Sequence, residues 1–555
     1  MKLRKYFIIG DANTQNPNPG DIFAKDGIKH LITLAEYNVP LFYDVNAFTR
    51  DESVWNIALK EADYLVIGGR PRLGELEVVT YCDYFFWEDV IAAKNKGIVT
   101  VDFWAGSGFR EWNVEQILDG CKDNPAVSQV IQYESMLDYV IARDRLTKEL
   151  IGQRMDKIDI FPCSSYWAGD WHHVEPKTKV VNAIALRFLP GNEWLLEKLV
   201  RWQKELYEDK PTFFIAHQIQ EYEWFLAHLG PSEYLLCIYD PRSLLEFYSR
   251  VDKLISLRVH GSIPALSFGA RVFNIATDSR SLALKEFGVD SIFYLDLEER
   301  DAISEDDFQP SKLDKKGAEK GFIRAFRDRV MKLYGEKVVE KHRQYLDEFY
   351  WKGASKSGYK GLPLGEDLAE ELFHYFEGEG FTCGIDLGCS FGAIPDRMRK
   401  GGIDFYGVDL SEYAINYGRK TFGLNEIYLG SIHDLGRFED NKFDFVISVQ
   451  VFEHLPVELL DSLLHELKRT CKPGAKLWIS LVCGYPGQLK KGYGDIDQTH
   501  ITLFPKEWWD ERFNEYGFDA DDGFDRKIRE KARRLYGDRN RLDRDGLHTI
   551  CYTKR

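Results

Sequence analysis

One stretch of the chain places a glycine-rich loop and two carboxylates directly after apolar runs. The run Gly384–Leu387 contains Asp386 and leads into the loop Gly388–Gly392, and a second apolar run ends in Asp409. Small residues let a backbone approach a bound cofactor closely, and a carboxylate at the end of a second strand can accept both hydroxyl groups of a ribose. A glycine loop alone is equally compatible with a tight turn, but the acid that follows it favours a site for an adenosine cofactor.

This series resembles the class I S-adenosylmethionine-dependent methyltransferases over residues 365–555. The same order continues with Leu429–Ile432, the run Phe443–Ser448 and the turn Lys472–Gly474. The resemblance implies a Rossmann-like domain that binds S-adenosylmethionine. It places the methionine part of the cofactor against Asp386, Gly388, Cys389, Ser390 and Gly392, the ribose against Asp409, and the adenine against Leu410, Ser431 and Ile432.

Two histidines are candidates for the base that transfer of a methyl group to a hydroxyl requires. His454 follows the run that ends near residue 449, and His500 lies three residues after Asp497, which could orient its imidazole ring. The sequence lacks the acidic-Pro-Pro-Tyr motif of methyltransferases that modify DNA bases, which favours an oxygen acceptor. Each histidine could instead only order its loop. Glu453 and His454 offer two possible metal ligands, too few for a site, so we predict no metal.

Arginines and a histidine also follow apolar runs in the first part of the chain. They are Arg143, Arg258, His260 and Arg280. Near the N-terminus, Asn18 and Asp21 lie in a turn-rich segment that opens a helix. Guanidinium groups bind phosphate and carboxylate groups through paired hydrogen bonds, and an imidazole exchanges a proton near neutral pH.

This pattern resembles the polysaccharide pyruvyl transferase family over about residues 1–300. The resemblance implies two Rossmann-like halves, residues 1–175 and 176–300, arranged as in a class B glycosyltransferase. It also implies that phosphoenolpyruvate is the co-substrate and that its enolpyruvyl unit is transferred to sugar hydroxyls as a ketal. By resemblance, Arg143 and Arg280 contact the phosphate or carboxylate with support from Arg258, His260 protonates the enol methylene, and Asn18 and Asp21 line the acceptor side.

Two blocks of alternating apolar runs and helical stretches must position these residues. Most runs are short, β-branched and followed by Gly, Asp or His, as buried parallel strands are. Residues 301–362, between the blocks, begin acidic, become a mixed-charge helical stretch and end in a Gly-, Ser- and Lys-rich tail. We therefore predict an α/β fold with domains at 1–300 and 363–555 and a helical, charged linker at 301–362.

Composition limits the classes of function. The 555 residues are 44% hydrophobic and 29% charged, with 73 Lys and Arg against 89 Asp and Glu, and the net charge of −16 argues against a nucleic-acid partner. The nine cysteines form no CxxC motif, which fits a reducing compartment. No apolar run approaches the roughly 18 residues of a membrane span. We therefore predict a cytoplasmic protein without an integral membrane segment.

The two resemblances together predict a bifunctional transferase. It would add a pyruvate ketal and an O-methyl group to a bacterial surface polysaccharide or to its lipid-linked saccharide precursor. In the alternative, the N-terminal domain only binds the acceptor glycan for the methyltransferase. Methylation of a nucleotide or tRNA is a third possibility, which the negative net charge disfavours. The sequence leaves the oligomeric state open.

Overall fold

The computed structural model describes residues 3–10, 19–46, 52–68, 71–74, 87–155, 158–188, 191–346, 363–484, 500–540, 542 and 548–555. The chain divides into two compact units, Leu3–Val330 and Met331–Arg555. Each unit is built around parallel strands, and the predicted α/β fold class is confirmed.

The first unit contains two sheets, and all their strand pairs are parallel. The first sheet has the strands β1 (Leu3–Gly10), β2 (Val39–Asn46), β3 (Tyr64–Gly68), β4 (Pro71–Leu73), β5 (Val99–Ser107), β6 (Tyr139–Ala142) and β7 (Ile158–Ile160). They lie in the order β2-β1-β3-β5-β6-β7, and β4 pairs with β5. The second sheet has β8 (Val181–Ala185), β9 (Thr212–Ala216), β10 (Leu235–Cys237), β11 (Val251–Ser256), β12 (Arg271–Ala276) and β13 (Ser291–Phe293), in the order β10-β9-β8-β11-β12-β13.

Helices connect these strands. They are α1 (Pro19–Ala35), α2 (Glu52–Glu61), α3 (Trp87–Asn95), α4 (Val114–Lys122), α5 (Pro125–Ser135), α6 (Arg145–Gly152), α7 (Ala168–Trp171), α8 (Glu193–Tyr207), α9 (Ile219–Leu229), α10 (Pro241–Tyr248), α11 (Val259–Ser267) and α12 (Lys315–Ala325). The central strands β3 and β5 are buried along their whole length, as expected for a parallel sheet that helices cover on both faces. The predicted boundary between the two halves, near residue 175, lies between β7 and β8.

Residues 301–330 belong to the first unit, whereas the sequence placed them in a linker. The ring of Phe322 on α12 stacks on Trp104 at a centroid distance of 5.6 Å, and the ring of Phe326 lies 5.9 Å from that of Phe103. The indole of Trp167 donates a hydrogen bond of 2.8 Å to Glu319. The many charged residues of this segment made it look like a linker in the sequence. Phe322 and Phe326 are four residues apart, and this spacing places both buried rings on one helical face.

The second unit is formed around one seven-stranded sheet. Its strands are β14 (Cys383–Leu387), β15 (Asp404–Asp409), β16 (Ile427–Leu429), β17 (Phe443–Val449), β18 (Cys471–Ser480), β19 (Phe518–Ala520) and β20 (Thr549–Lys554). They lie in the order β16-β15-β14-β17-β18-β20-β19, and all neighbouring strands are parallel except in the two pairs that include β20. The strand order reverses direction beside β14, and ligands of α/β proteins bind at such a point, at the carboxyl ends of the strands.

The helices of this unit are α13 (Lys332–Leu346), α14 (Pro363–Phe376), α15 (Ala393–Lys400), α16 (Glu412–Phe422), α17 (Leu460–Thr470), α18 (Lys506–Glu515) and α19 (Asp522–Tyr536). Phe376 on α14 packs with Phe445 and Trp478 of the sheet in one hydrophobic cluster. The unit includes α13, which the sequence had assigned to the linker. Within the described part of the chain, no helix combines the length and apolar character that a membrane crossing needs.

We expect Phe322→Ala to lower the free energy of unfolding of the first unit by about 3–5 kcal/mol, because it removes a buried ring from a packed aromatic cluster. Denaturant unfolding followed by circular dichroism measures the change. Tyr239→Ala, at a residue that is 56% exposed, is the matched control and should change it little. Equal effects of the two substitutions would show that residues 301–330 do not contribute to this unit's core.

Candidate functional site

A polar cleft in the first unit lies at the carboxyl ends of strands from both sheets. Its lining includes Asp21, Arg143, Arg187, Arg258, His260, Thr277, Asp278, Arg280 and Ser281. Asp21 follows β1, Arg143 follows β6, Arg187 follows β8, Arg258 and His260 follow β11, and Arg280 follows β12. The cleft therefore brings together five of the six site residues predicted here. The sixth, Asn18, lies outside the described residues.

Arg187 is a cleft residue that the sequence reasoning missed. Its Nη1 lies 2.6 Å from Oδ2 of Asp278, and Arg280 donates to the same carboxylate from Nε at 2.9 Å. Although burial opposes ionisation, the ion pairs with Arg280 and Arg187 hold the pKa of Asp278 well below its ordinary value. One carboxylate thus fixes two guanidinium groups. The signal available was that Arg187 directly follows an apolar run, as Arg143 does.

Arg143 is 1% exposed, yet part of its hydrogen-bonding capacity is unused. Its Nη2 lies 3.4 Å from the carbonyl oxygen of Ser107, and its Nε makes no hydrogen bond to any described residue. Asp144 is 3.9 Å from that Nε and supplies a compensating charge. A buried guanidinium that lines a cleft and keeps an unused donor fits an anionic ligand.

Arg258 is held by a carboxylate that the sequence analysis did not identify. Its Nε donates to the carbonyl oxygen of Leu186 at 2.7 Å, and its Nη2 pairs with the buried carboxylate of Glu221. The backbone N–H of His217 donates to the same carboxylate at 3.3 Å. Because Glu221 lies on α9, which is remote in sequence, no local pattern links it to the arginine.

His260 lies in the first turn of α11 among these arginines. A Cβ atom on Gly20 would lie 2.5 Å from its Nδ1, so only glycine permits this close approach of α1. The Sγ atom of Cys163 lies 3.9 Å from its Nε2. Burial and three neighbouring guanidinium groups lower the pKa of His260 to about 3. The ring is therefore neutral near pH 7 when only the protein's own charges surround it.

The second unit presents its predicted cofactor residues along the carboxyl edge of its sheet. Asp386 is buried in β14, and its Oδ1 makes no hydrogen bond to any described residue. Burial and the nearby carboxylate of Asp409 raise the pKa of Asp386 well above its ordinary value. The glycine loop follows with positive φ values of 84° at Gly388, 51° at Ser390 and 82° at Gly392.

Asp409 connects the loop with the second strand. Its Oδ2 accepts a hydrogen bond of 2.8 Å from the backbone of Ser390, and its Oδ1 accepts one of 2.8 Å from the backbone of Ser411. Each carboxylate oxygen thus accepts one backbone hydrogen bond. The carboxylate thus orders the loop from the position predicted to hold the ribose.

The predicted adenine contacts follow β15 and β16. Leu410 is half-buried, Ile432 is buried, and the hydroxyl of Ser431 lies 2.5 Å from Nδ1 of His433. The thiol of Cys389, a residue predicted to lie at the cofactor, packs in a small hydrophobic cluster with Ile415, Leu424 and Ile427. A Cβ atom on Gly407 would lie 2.6 Å from this sulfur, so glycine there leaves room for it.

These residues fit S-adenosylmethionine, a cationic cofactor with a ribose. The buried carboxylate of Asp386 has one oxygen without a hydrogen bond to any described residue, and a positively charged ligand would stabilise it. The left-handed loop residue Gly388 packs directly on Val451, and a Cβ atom there would lie 2.3 Å from Cγ2 of that side chain. The loop can therefore keep this conformation only with glycine.

The structure brings the two candidate histidines together. The ring centroids of His454 and His500 lie 4.8 Å apart at an interplanar angle of 67°. Glu453 joins them, and one ligand atom from each of the three residues lies within 4.8 Å of the others. The sequence analysis counted two possible metal ligands here and predicted no metal site, whereas folding supplies a third. Asp497, expected to orient His500, lies outside the described residues.

Comparisons with known families assign both parts of the chain. Residues 5–279 match the model of the polysaccharide pyruvyl transferase family, and residues 385–479 match a methyltransferase domain model. The chain therefore contains one region similar to each of these families. Its pyruvyl transferase region contains the arginine-lined cleft, and its methyltransferase domain contains the glycine loop. Both predicted resemblances are confirmed.

Individual relatives match the methyltransferase domain. The ubiquinone biosynthesis O-methyltransferase of Neisseria meningitidis serogroup A is 28% identical over 16% of this chain and 42% of its own length. That of Azoarcus sp. strain BH72 is 30% identical over 17% of this chain and 42% of its length. The chain thus spans about two fifths of the length of these curated relatives.

Two solved structures are similar to part of this chain. A methyltransferase from Archaeoglobus fulgidus is 19% identical, with 38% of this chain and 99% of that chain covered and a TM-score of 0.26. The 1,6-didemethyltoxoflavin-N1-methyltransferase of Burkholderia thailandensis is 15% identical, with coverages of 40% and 90% and a TM-score of 0.30.

We expect an anionic ligand in the cleft to raise the pKa of His260. One negative charge about 4 Å from the ring contributes about 4 kcal/mol at an effective dielectric constant of about 20, or about three pKa units. Binding of phosphoenolpyruvate at pH 6 should therefore be accompanied by proton uptake. Calorimetric titrations in two buffers of different ionisation enthalpy measure the net proton exchange, to which the substrate phosphate, with a pKa of about 6, also contributes. The His260→Gln variant should therefore take up fewer protons than the unsubstituted protein, and equal proton exchange by the two would contradict the expectation.

Proposed function

We propose that the chain modifies a glycan twice, by pyruvyl ketal transfer from phosphoenolpyruvate in the first unit and by O-methyl transfer from S-adenosylmethionine in the second. The observation that carries the proposal is the cleft in which four arginines surround His260. The acceptor is a bacterial surface polysaccharide or its lipid-linked saccharide precursor. The family name of the pyruvyl transferase region supports this acceptor class.

Phosphoenolpyruvate matches the cleft in charge. Its phosphate and carboxylate are carried by adjacent atoms of a three-carbon unit, so two anionic groups must be bound at once. Arg187 and Arg280 are fixed together on Asp278, and Arg143 keeps an unused donor on the other side of the cleft. Paired guanidinium groups are suited to both anionic groups.

His260 supplies the proton that ketal formation needs. The anionic substrate raises its pKa, and the protonated ring then donates to the methylene carbon of the enol. One sugar hydroxyl adds to the neighbouring carbon, phosphate leaves, and a second hydroxyl closes the ketal. Of the two hydroxyl protons, one restores His260 and the other leaves with phosphate. General acid catalysis of this kind contributes about 10²–10⁴-fold to a rate.

The residues of the second unit are arranged for methyl transfer to oxygen. When bound, S-adenosylmethionine supplies an activated methyl group. Asp409 would accept the ribose hydroxyls, and Asp386 would compensate the positive charge of the cofactor. His454 and His500 lie along the same edge of the sheet, where an acceptor hydroxyl must lose its proton.

We expect Arg187→Ala to weaken phosphoenolpyruvate binding by about tenfold or more, since a hydrogen bond to a charged group contributes about 1.5–3 kcal/mol. Arg145→Ala, at a side chain that is 87% exposed and does not line the cleft, is the control and should bind normally. Calorimetry measures both affinities.

His260→Gln should bind phosphoenolpyruvate but fail to release phosphate with a panel of bacterial glycans as acceptors. If the unsubstituted protein binds no phosphoenolpyruvate, the pyruvyl transfer proposal is wrong, and the first unit is then an acceptor-binding module for the methyltransferase domain.

Asp409→Ala should abolish measurable binding of S-adenosylhomocysteine, because two charge-assisted hydrogen bonds to the ribose are lost. Asp404→Ala, on the same strand at the opposite edge of the sheet, controls for general destabilisation. Calorimetric titration of the full chain decides the result, with thermal unfolding as the check on folding. Unchanged affinity in a folded Asp409→Ala variant would show that Asp409 does not bind the ribose of the cofactor.

A further inference from the structure

Glu453, His454 and His500 form a compact cluster at the carboxyl edge of the second unit's sheet. The glutamate side chain is 0% exposed, and the two histidines are half-buried. One ligand atom from each residue lies within 4.8 Å of the other two. Two ligands on one tetrahedral zinc ion, with bonds of about 2.1 Å, lie about 3.4 Å apart, so modest side-chain rotations bring all three onto one ion.

The turn that carries two of these ligands is rigidly anchored. Glu453 and His454 lie in the short 3-10 helix Phe452–His454, directly after β17. Gln450, which precedes this turn, has a φ of 55°, an unfavourable value for a residue other than glycine. Its backbone N–H donates to the carbonyl oxygen of Ser480 at 2.7 Å, and its Nε2 donates to the Ser480 hydroxyl at 3.1 Å. Such stored strain is typical of functional sites.

The third ligand is tied to the same turn through the residues that follow it. The backbone N–H groups of Ile501 and Thr502 both donate to the carbonyl oxygen of Glu453, at 2.8 and 3.0 Å. The Thr502 hydroxyl donates to the carbonyl oxygen of Leu455 at 2.5 Å. Because these bonds come immediately after His500, they hold its imidazole beside Glu453 and His454. The cluster is thus assembled from two distant segments in a defined geometry.

We propose that Glu453, His454 and His500 bind a divalent transition-metal ion. Two imidazoles and one carboxylate form a ligand set that binds zinc in hydrolytic enzymes and iron(II) in oxygenases, and it leaves coordination positions open. The cluster adjoins the predicted cofactor loop, since Val451, two residues before Glu453, packs on Gly388. An open coordination position therefore lies near the place where the methyl group would be transferred.

This inference deepens the proposed methyl transfer and rests on it. The acceptor hydroxyl would bind the ion through its oxygen, which lowers the pKa of that hydroxyl, and its proton would pass to solvent. The oxygen would then form a bond to the methyl carbon while the carbon–sulfur bond breaks and its electron pair stays on sulfur. In this arrangement the two histidines activate the acceptor as metal ligands and not as free bases.

Metal titration of the full chain tests the inference without an acceptor. Protein stripped with a chelator is titrated with Co²⁺, whose visible absorption reports its ligands, and then with competing Zn²⁺. One ion should bind through nitrogen and oxygen ligands. His500→Ala and Glu453→Gln should each weaken that binding at least tenfold. His465→Ala, at an exposed histidine on α17, should leave it unchanged.

Binding of S-adenosylhomocysteine shows that each variant is folded. If the Glu453→Gln variant unfolds because the residue is buried, His500→Ala alone tests the inference. The inference is wrong if the unsubstituted protein binds no Co²⁺ or Zn²⁺, or if folded His500→Ala binds them with unchanged affinity. In either case His454 and His500 would remain candidates for the base that takes the acceptor's proton without a metal ion. If the metal binds as expected but no glycan is methylated, the metal site stands and the proposed function fails.

Discussion

The site of the first unit depends on positive charges that are held close together in one cleft. Guanidinium groups repel each other, so each needs a partner that fixes it: Asp278 for Arg187 and Arg280, Glu221 for Arg258, and Asp144 for Arg143. These carboxylates come from different strands and helices of both sheets, so the cleft exists only when both halves are folded. The arrangement lowers the cost of ordering several cations before an anion arrives.

The methyltransferase domain uses the same principle with the opposite sign. Asp386 and Asp409 lie close enough for their repulsion, together with burial, to raise the pKa of Asp386. A sulfonium cofactor would relieve that repulsion, as an anionic substrate would relieve the repulsion among the arginines. Each unit therefore holds like charges close together in its own site, and a ligand of the opposite charge would stabilise them. One chain would then bind two ligands of opposite charge at separate sites.

Local sequence patterns predicted the residues that follow strands. They did not predict the residues whose roles come from contacts between distant parts of the chain. Arg143, Arg258, Arg280 and Asp409 were identified because parallel strands align their carboxyl ends, so a residue after an apolar run must lie near the ligand edge. Glu221 could not be found in this way, since its role comes from one contact with Arg258 across the sheet. The place of His500 beside Glu453 was also unpredictable from local patterns, because backbone hydrogen bonds from Ile501 and Thr502 connect two segments that are distant in sequence. Phe322 was hidden by the charged residues around it.

The low pKa of the buried His260 favours a catalytic first unit over one that only binds a glycan. A neutral carbohydrate is recognised through hydrogen bonds and flat apolar contacts, which require no concentration of positive charge. Burying an imidazole among arginines makes its protonated form unfavourable until an anion enters. A binding module would gain nothing from that cost, whereas an enzyme gains a proton that becomes available only after its substrate has bound. Coupling protonation to substrate binding would restrict acid catalysis to the site that holds its substrate, as the proposed transfer of an enolpyruvyl unit requires.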